Sequence, residues 1–272
     1  MATIGLLHPG AMGASVGAAA TSGSDAVLWV STGRTQQTRE RADRGGLTER
    51  DSIAELVRDS DIILSVCPPH AAEDVARQVQ DAGFAGLFVE GNAIAPDRTR
   101  KIAGLLSSAT VIDGGIIGGP AWHAGAGTRF YLSGDQAQTV ADVFDGSALQ
   151  ATVISPDIGA ASALKMVFAA YTKGTTALLT TILGVAEKEG VRADLEKQWG
   201  EEFTTRTHSQ VAGNTAKAWR FAGEMEEIAA TFSAAGFSSG FHQGAADIFS
   251  RLADFKDNPA QDIESVLQKL LS

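Results

Sequence analysis

The chain has 272 residues, of which 44% are hydrophobic and 20% are charged, a composition that excludes a disordered protein. The formal net charge of −10 disfavours nucleic acid as a partner, because phosphate binding needs a basic surface. No apolar run has the roughly 18 residues that a membrane helix needs, and a basic, signal-like N-terminus is absent. Cys67 is the only cysteine and the histidines lack ligand spacing, so we expect a cytoplasmic protein without disulfides or metal.

Short apolar runs alternate with helical segments over the first 155 residues. The predicted strands are Thr3–Leu7, Ala26–Val30, Ile62–Val66, Gly86–Glu90, Thr110–Ile116, Arg129–Ser133 and Ala151–Ile154. The predicted helices between them are Ala11–Thr21, Thr35–Arg44, Ala71–Asp81, Asp97–Leu106 and Gln136–Phe144. Strands that alternate with helices in this way indicate βαβ units and a parallel sheet.

The pattern changes after Pro156, and no strand is predicted beyond that point. One long helix is predicted over 158–190, with Asp157 as a candidate N-cap. Further helices are predicted at Asp194–Ser209, Thr215–Ala235 and Gly240–Ala253, with a short last helix from Asp262. We therefore predict an α/β protein, with a doubly wound domain over 1–156 and an all-helical domain over 157–272.

The first predicted strand ends in a turn of small residues that leads directly into the first helix. The turn consists of His8, Pro9, Gly10, Ala11, Met12 and Gly13. Glycines at such a turn let the backbone approach a diphosphate, and the helix N-terminus supplies free N–H donors. His8 stands where the full G-x-G-x-x-G pattern has its first glycine, so the match is partial. The alternative is an ordinary tight turn between a strand and a helix.

Hydroxyl groups and an arginine follow the second predicted strand. Enzymes that use NAD commonly place Asp or Glu there to bind the ribose 2′-hydroxyl, whereas this chain has Ser31, Thr32 and Arg34. A guanidinium suits a phosphate group, so the loop predicts a 2′-phosphate site and a preference for NADP(H). The alternative is a solvated helix face, which we take to explain Arg41 and Arg44.

Lys165 lies within an almost uncharged stretch of the long helix. Burial there would favour the neutral amine, which can accept or deliver a proton during hydride transfer. The alternative is an amine that extends past the apolar surface into solvent. The helix is also too apolar to be a lone exposed helix. We therefore expect a homodimer that forms through the helical domain.

Five ordered segments of the chain resemble the superfamily of β-hydroxyacid dehydrogenases and 6-phosphogluconate dehydrogenase, which includes imine reductases. The first, Ile4–Gly13, is similar to I-G-x-x-G-x-G-x-M-G, and the others are Leu64–Pro69, Glu90–Pro96, Asp113–Pro120 and the helix with Gly159 and Lys165. Lys217–Phe221 and Glu224–Ile228 resemble the branch with a phosphogluconate-dehydrogenase-like C-terminal domain. The resemblance implies a Rossmann-type domain and a catalytic role for Lys165.

Further candidate binding residues come partly from this resemblance and partly from the chemistry of the residues themselves. Cys67, Pro68 and Pro69 would run past the cofactor, and Asn92 would bind its ribose or amide. Gly118 and Gly119 are candidates for presenting backbone N–H groups to a substrate carboxylate, and the alternative, compatible with this role, is a tight turn. Trp122, His123, Met225 and His242 are candidates for the substrate pocket, for which packing is the alternative.

Two departures from the family pattern concern the substrate. Ile117 replaces the serine of the substrate segment, and Phe168 with Ala169 replaces the asparagine after the lysine. The main hypothesis is an NADP(H)-dependent oxidoreductase that acts on a small carbonyl or alcohol, with Lys165 as general acid or base. One alternative is an imine reductase, and another is an NADP-binding protein without activity.

Overall fold

A computed structural model describes residues 1–272, which form two compact units, Met1–Lys165 and Met166–Ser272. The division falls within the long helix Ala160–Lys188 and not at residue 156. The reason is that the first turns of this helix hydrogen bond to the sheet of the first unit, at Asp113. No helix has both the length and the apolar composition that crossing a bilayer would require.

The first unit contains eight strands and six helices ahead of the long helix. The strands are β1 Ala2–Leu7, β2 Ser24–Val30, β3 Thr48–Arg50, β4 Ile62–Ser65, β5 Leu87–Glu90, β6 Thr110–Ile117, β7 Arg129–Ser133 and β8 Gln150–Ser155. The helices are α1 Ala11–Ala20, α2 Gln36–Arg44, α3 Ile53–Arg58, α4 Ala72–Asp81, α5 Pro96–Leu105 and α6 Ala137–Asp142. The strands form one sheet in the order β3-β2-β1-β4-β5-β6-β7-β8.

The sheet is parallel except where β7 runs antiparallel to β6. Successive residues of β1 face opposite sides, so that Leu6 belongs to one core with Trp29 and Leu7 to the other with Phe88. Because both faces are covered, the central strands read as continuous apolar runs in the sequence. This architecture confirms the predicted doubly wound sheet.

The second unit consists of helices alone. After α7 Ala160–Lys188, which begins in the first unit, come α8 Arg192–Trp199, α9 Glu201–Asn214, α10 Ala218–Ala234, α11 Gly240–Arg251 and α12 Ile263–Leu271. The single helix predicted over Asp194–Ser209 is wrong, because Gly200 has φ +79° and separates two helices. The helical character predicted for the C-terminal region is confirmed.

Candidate active site

The parallel strands place the predicted cofactor segments at one edge of the sheet. Leu7, Ser65 and Glu90 are the last residues of β1, β4 and β5 and are neighbours in register, and Asp113 lies beside Glu90 in the middle of β6. The strand order reverses between β1 and β4. Ligands of doubly wound sheets bind beyond the carboxyl ends of the strands at such a reversal. The topology therefore places the expected ligand site at the carboxyl ends of β1 and β4.

The turn from β1 to α1 has the close packing that a diphosphate site needs. The N–H of His8 donates to the carbonyl of Val66 at 3.3 Å, and the N–H of Gly10 donates to the carbonyl of His8 at 2.8 Å. A Cβ on Gly13 would lie 2.1 Å from the His8 oxygen, so α1 can pack against the turn only with glycine there.

The amino end of α1 is open to a ligand. No side chain caps the helix, and a Cβ on Gly10 would meet no atom within 4 Å. Gly10 and Ala11 are exposed, Met12 is half-buried, and Pro9 is buried beneath the turn. Free N–H groups beside open space are what a diphosphate requires, so these residues fit a dinucleotide.

Arg34 contacts His8 across the loops that follow β1 and β2. Its Nη2 lies 2.9 Å from Nδ1 and 3.0 Å from Nε2 of the imidazole. Burial, with a smaller contribution from Arg34, lowers the pKa of His8 to about 4, so the ring is neutral near pH 7. In the same loop Ser31 is buried and its carbonyl accepts from Arg39, whereas Thr32 is exposed.

Asn92 connects the loops after β4 and β5. Its Oδ1 accepts from the N–H of Cys67 and its Nδ2 donates to Ser65 Oγ at 3.0 Å. The side chain is buried, and the contact with Ser65 uses one of its two Nδ2 hydrogens. Burial raises the pKa of Cys67 to about 12, so the thiol is not a nucleophile here. Pro68 and Pro69 follow at the same edge, and Pro68 is exposed.

Glu90 is a feature of this edge that the sequence pattern did not single out. It is fully buried, and its Oε1 accepts from the N–H of Asn92 at 3.1 Å. Burial raises its pKa to about 8. The sequence feature that could have identified it is an acidic residue at the end of an apolar strand, where burial of an ionised side chain is unfavourable.

Asp113 joins α7 to the sheet. Its Oδ2 accepts from the N–H groups of Gly159 and Ser162 at 3.0 and 2.9 Å, and from Ser133 Oγ at 3.0 Å. A carboxylate at the positive end of the helix dipole stabilises that end. The predicted N-cap, Asp157, instead bonds to Ser155.

Lys165 lies in the second turn of α7, against the end of β6. Its Nζ donates to the carbonyl of Ile116 at 2.6 Å. Gly115 permits this approach, because a Cβ there would lie 2.5 Å from the Ala161 oxygen and 3.2 Å from Lys165 Cβ. The amine is therefore held against the predicted substrate segment, Asp113–Pro120, just before its two glycines.

The segment Asp113–Pro120, which resembles the substrate segment of the family, begins in β6 and ends in an exposed turn. Gly118 has φ +128°, and Thr128 Oγ1 donates to the carbonyl of Gly119 at 2.6 Å. Both glycines are exposed. Since Ile116 contacts Lys165 two residues earlier, the structure brings the lysine and these two glycines to the same end of β6.

Two other candidates follow this segment, and one of them contacts α2. Trp122 is half-buried with the guanidinium of Arg44 4.2 Å from its ring centre, and His123 is exposed. The N–H of the intervening Ala121 donates to Ser15 Oγ of α1 at 3.0 Å. Trp122 therefore has a packing partner at α2, and Arg44 is not merely a solvated charge.

The remaining candidates belong to the second unit. Met225 on α10 is fully buried, and His242 on α11 is 5% exposed, with its ring centre 4.2 Å from that of Phe232. Their contact with substrate stays a prediction. Lys173 forms a buried ion pair with Glu224 at 2.8 Å, which gives it a structural partner.

Comparison with known proteins identifies two regions of the chain. Residues 1–155 match the NAD binding domain of 6-phosphogluconate dehydrogenase, and residues 183–252 match a domain of unknown function. An uncharacterised 28.5 kDa protein of Methanothermus fervidus is 28% identical over 72% of this chain and 77% of its own length.

Solved structures extend the similarity to both units. A conserved protein of unknown function, described as structurally similar to 3-hydroxyacid dehydrogenases, is 27% identical over 93% of this chain and 97% of its own, with a TM-score of 0.67. Mycobacterium tuberculosis 3-hydroxyisobutyrate dehydrogenase is 20% identical over 100% of both chains, with a TM-score of 0.71. Imine reductases and reductive aminases, solved with NADPH or NAD⁺ in some cases, share the fold at TM-scores of 0.55 to 0.58.

Proposed function

Because the chain belongs to the family of the NAD binding domain of 6-phosphogluconate dehydrogenase, we propose that it is an NADP(H)-dependent oxidoreductase. Its substrate is a small carbonyl or alcohol compound, and Lys165 is the general acid or base. The observation that carries the proposal is the position of the Lys165 amine, 2.6 Å from the Ile116 carbonyl at the sheet edge where the dinucleotide turn also lies.

The coenzyme would be held by the turn from His8 to Gly13 and by the loops after β2, β4 and β5. It supplies the hydride acceptor or donor. The preference for NADP(H) is supported by Arg34, which has no carboxylate partner, and by the lack of Asp or Glu from Ser31 to Arg34. The backbone N–H groups at the amino end of α1 would bind the diphosphate of this coenzyme, and Asn92 would orient it.

Lys165 would handle the proton that accompanies hydride transfer. As an ammonium it donates to a carbonyl oxygen that is being reduced, and as a neutral amine it accepts the proton of an alcohol that is being oxidised. The Ile116 carbonyl holds the amine in place for either direction. The N–H groups of Gly118 and Gly119 lie at the same end of β6 and would bind an anionic group of the substrate.

Replacing Lys165 tests this role directly. In Lys165→Met the hydrophobic stem remains and the amine is lost, so we expect kcat on a responsive ketoacid or alcohol to fall by about 100-fold or more. The dissociation constant for NADPH should change by no more than about twofold. Exposed Lys188 on the same helix provides the matched control, and Lys188→Met should leave both values unchanged. An unchanged kcat in Lys165→Met would refute the assignment.

Imine reduction is the second candidate. The two departures from the family pattern favour it, whereas the presence of Lys165 argues against it. Ile117 and Phe168 cannot form the hydrogen bonds of the serine and asparagine that they replace, so the binding of a substrate hydroxyl is weakened. Assays with NADPH on panels of ketoacids and cyclic imines separate the two reactions. Tight NADPH binding without turnover on either panel would instead indicate the third candidate, an inactive NADP-binding protein.

A second copy of the chain is the macromolecular partner that we propose. The support is an exposed apolar stripe on α7 that includes Val167, Tyr171 and Leu178, at helical spacing. Large apolar patches on a soluble protein mark interaction surfaces. We further propose a cytoplasmic location, on the basis of the single cysteine.

A further inference from the structure

Arg34 is a half-buried cation without an anionic partner. Its Nε is buried and has no hydrogen-bond acceptor. Two other arginines of this region have carboxylate partners, since Arg39 contacts Glu49 at 3.2 Å and Arg50 contacts Asp59 at 2.8 Å. A guanidinium removed from water with an unmet donor is unfavourable, so an anion that reaches Arg34 gains a strong, charge-assisted contact.

The loop that carries Arg34 is tightly constrained. The N–H of Arg34 donates to the carbonyl of Ser31 at 3.1 Å, and Gly33 has φ +74°. The Ser31 carbonyl also accepts from Arg39 Nη2 at 2.9 Å. The backbone before Arg34 is therefore held in place, and only the arginine side chain remains to be positioned.

His8 supplies that positioning. One guanidinium nitrogen lies almost equally far from both ring nitrogens, at 2.9 and 3.0 Å, so it is not aligned with a single lone pair and instead rests against the ring. The His8 backbone is fixed on both sides, by Val66 and by Gly10. A neutral ring in this place contacts the guanidinium without repelling it.

We propose that His8 and Arg34 form one phosphate-binding unit, in which the imidazole holds the guanidinium and the guanidinium binds a phosphate group of the coenzyme. His8 is thus a positioning residue, and it determines coenzyme affinity without contacting the phosphate. The inference rests on the proposed function, because it requires a dinucleotide at the turn after β1.

The unit explains why a bulky residue occupies a place where the family pattern has glycine. A glycine at position 8 would leave Arg34 without the surface against which it lies. The long side chain would then lose more rotamer freedom when it binds an anion. We therefore expect the two side chains to be energetically coupled, so that removal of either removes part of the contribution of the other.

A double-mutant cycle with binding as the readout measures this coupling. The variants are His8→Ala, Arg34→Gln and the double variant, and the titrants are NADPH and NADH, followed by calorimetry. We expect Arg34→Gln to weaken NADPH binding by about 30-fold and His8→Ala by about tenfold. The double variant should bind about as weakly as Arg34→Gln alone. Arg41→Gln, a charge deletion on α2, is the matched control and should bind as the unchanged protein does.

The outcomes are distinct. Additive losses, or unchanged affinity in His8→Ala, would overturn the unit. Coupled losses of affinity for NADPH alone support the unit and show that Arg34 binds the 2′-phosphate. Equal coupled losses of affinity for NADPH and NADH support the unit and show that Arg34 binds the diphosphate.

Coenzyme binding by the unchanged protein and the folding of each variant are measured as well. If the unchanged protein binds neither coenzyme at millimolar concentration, the proposed function fails and the unit fails with it. Each variant is first checked by its unfolding midpoint. If His8→Ala does not fold, His8→Gly takes its place in the cycle with the same expected coupling.

Discussion

Glu90 brings a carboxyl group into the interior at the end of β5, beside the loop of Asn92. Burial raises its pKa from 4.5 to about 8, although the hydrogen bond from the Asn92 N–H acts in the opposite direction. Oε2 has no hydrogen-bond partner. A neutral, protonated carboxyl is the form that such an environment favours, so Glu90 holds Asn92 in place without adding a charge to the site.

This protonation predicts a specific dependence of stability on pH. Between pH 4.5 and about 8 the folded protein keeps a proton on Glu90 that the unfolded chain releases. The free energy of unfolding should therefore fall as pH rises through that window, by up to about 1.4 kcal/mol per pH unit. Glu90→Gln places a neutral amide at the site, and its stability should lack this decrease.

Urea unfolding at pH 5, 6, 7 and 8 provides the measurement. Because other groups titrate in both proteins, the informative quantity is the difference in slope between the variant and the unchanged protein. Glu40→Gln, at an exposed position on α2, should not alter the slope. Equal slopes for Glu90→Gln and the unchanged protein would show that Glu90 is ionised when folded.

At the scale of secondary-structure elements, the close contact between α7 and β6 depends on a glycine, because backbone meets backbone there. Gly115 lies where the backbone of α7 passes the strand, and a Cβ would come within 2.5 Å of the Ala161 oxygen. Since that atom is backbone and Asp113 bonds the helix end to the sheet, the helix cannot move without losing those bonds.

Gly115→Ala should therefore displace the helix that carries Lys165. We expect a loss of about 1–3 kcal/mol in the free energy of unfolding, as for other overpacked sites, and a fall in kcat that exceeds any change in NADPH affinity. A Cβ added at Gly104 on α5 would meet no atom within 4 Å, and Gly104→Ala should stabilise the protein by up to about 1 kcal/mol. Unfolding curves and steady-state kinetics test the pair. A fully stable, fully active Gly115→Ala would contradict the packing argument.

The elements that the sequence predicts well are those with long apolar patterns. All the predicted strands of the sheet are found. The central strands β1, β4 and β5 are buried on both faces and read as apolar runs, whereas β8 alternates between exposed and half-buried residues. β3 has only three residues, Thr48–Arg50, all of them polar, and α3 has six, so neither carries a clear period. The break at Gly200 was missed because an isolated glycine is compatible with a helix.

The candidate site shows the same division between local and long-range information. The turn from His8 to Gly13 could be predicted because its residues are contiguous and directly follow a strand. The contact of Arg34 with His8 and that of Arg44 with Trp122 join distant segments, so they depend on how the strands are ordered in the sheet. The sequence indicates which groups are available, and the topology determines which of them meet.

At the scale of the whole molecule, the exposed side of α7 is the feature that a single chain leaves unexplained. Val167 is 56% exposed, Phe168 44%, Tyr171 72%, Leu178 45% and Val185 57%. Tyr171, Leu178 and Val185 recur every seven residues, which keeps them on one side of the helix. Leaving this much apolar side chain in water is unfavourable, and pairing with the same stripe on a second copy would bury it symmetrically.

The stripe predicts a dimer that one charge can disrupt. Size-exclusion chromatography with light scattering should give twice the 28.2 kDa of one chain. Leu178→Glu places a charge at the centre of the stripe, where burial without a partner is costly, and should shift the mass to that of a monomer with little change in helix content. Val191, which is 50% exposed but lies outside α7, is the matched position, and Val191→Glu should remain dimeric. A monomeric mass for the unchanged protein at tens of micromolar, or a dimer that persists in Leu178→Glu, would mean that this stripe does not hold two copies together.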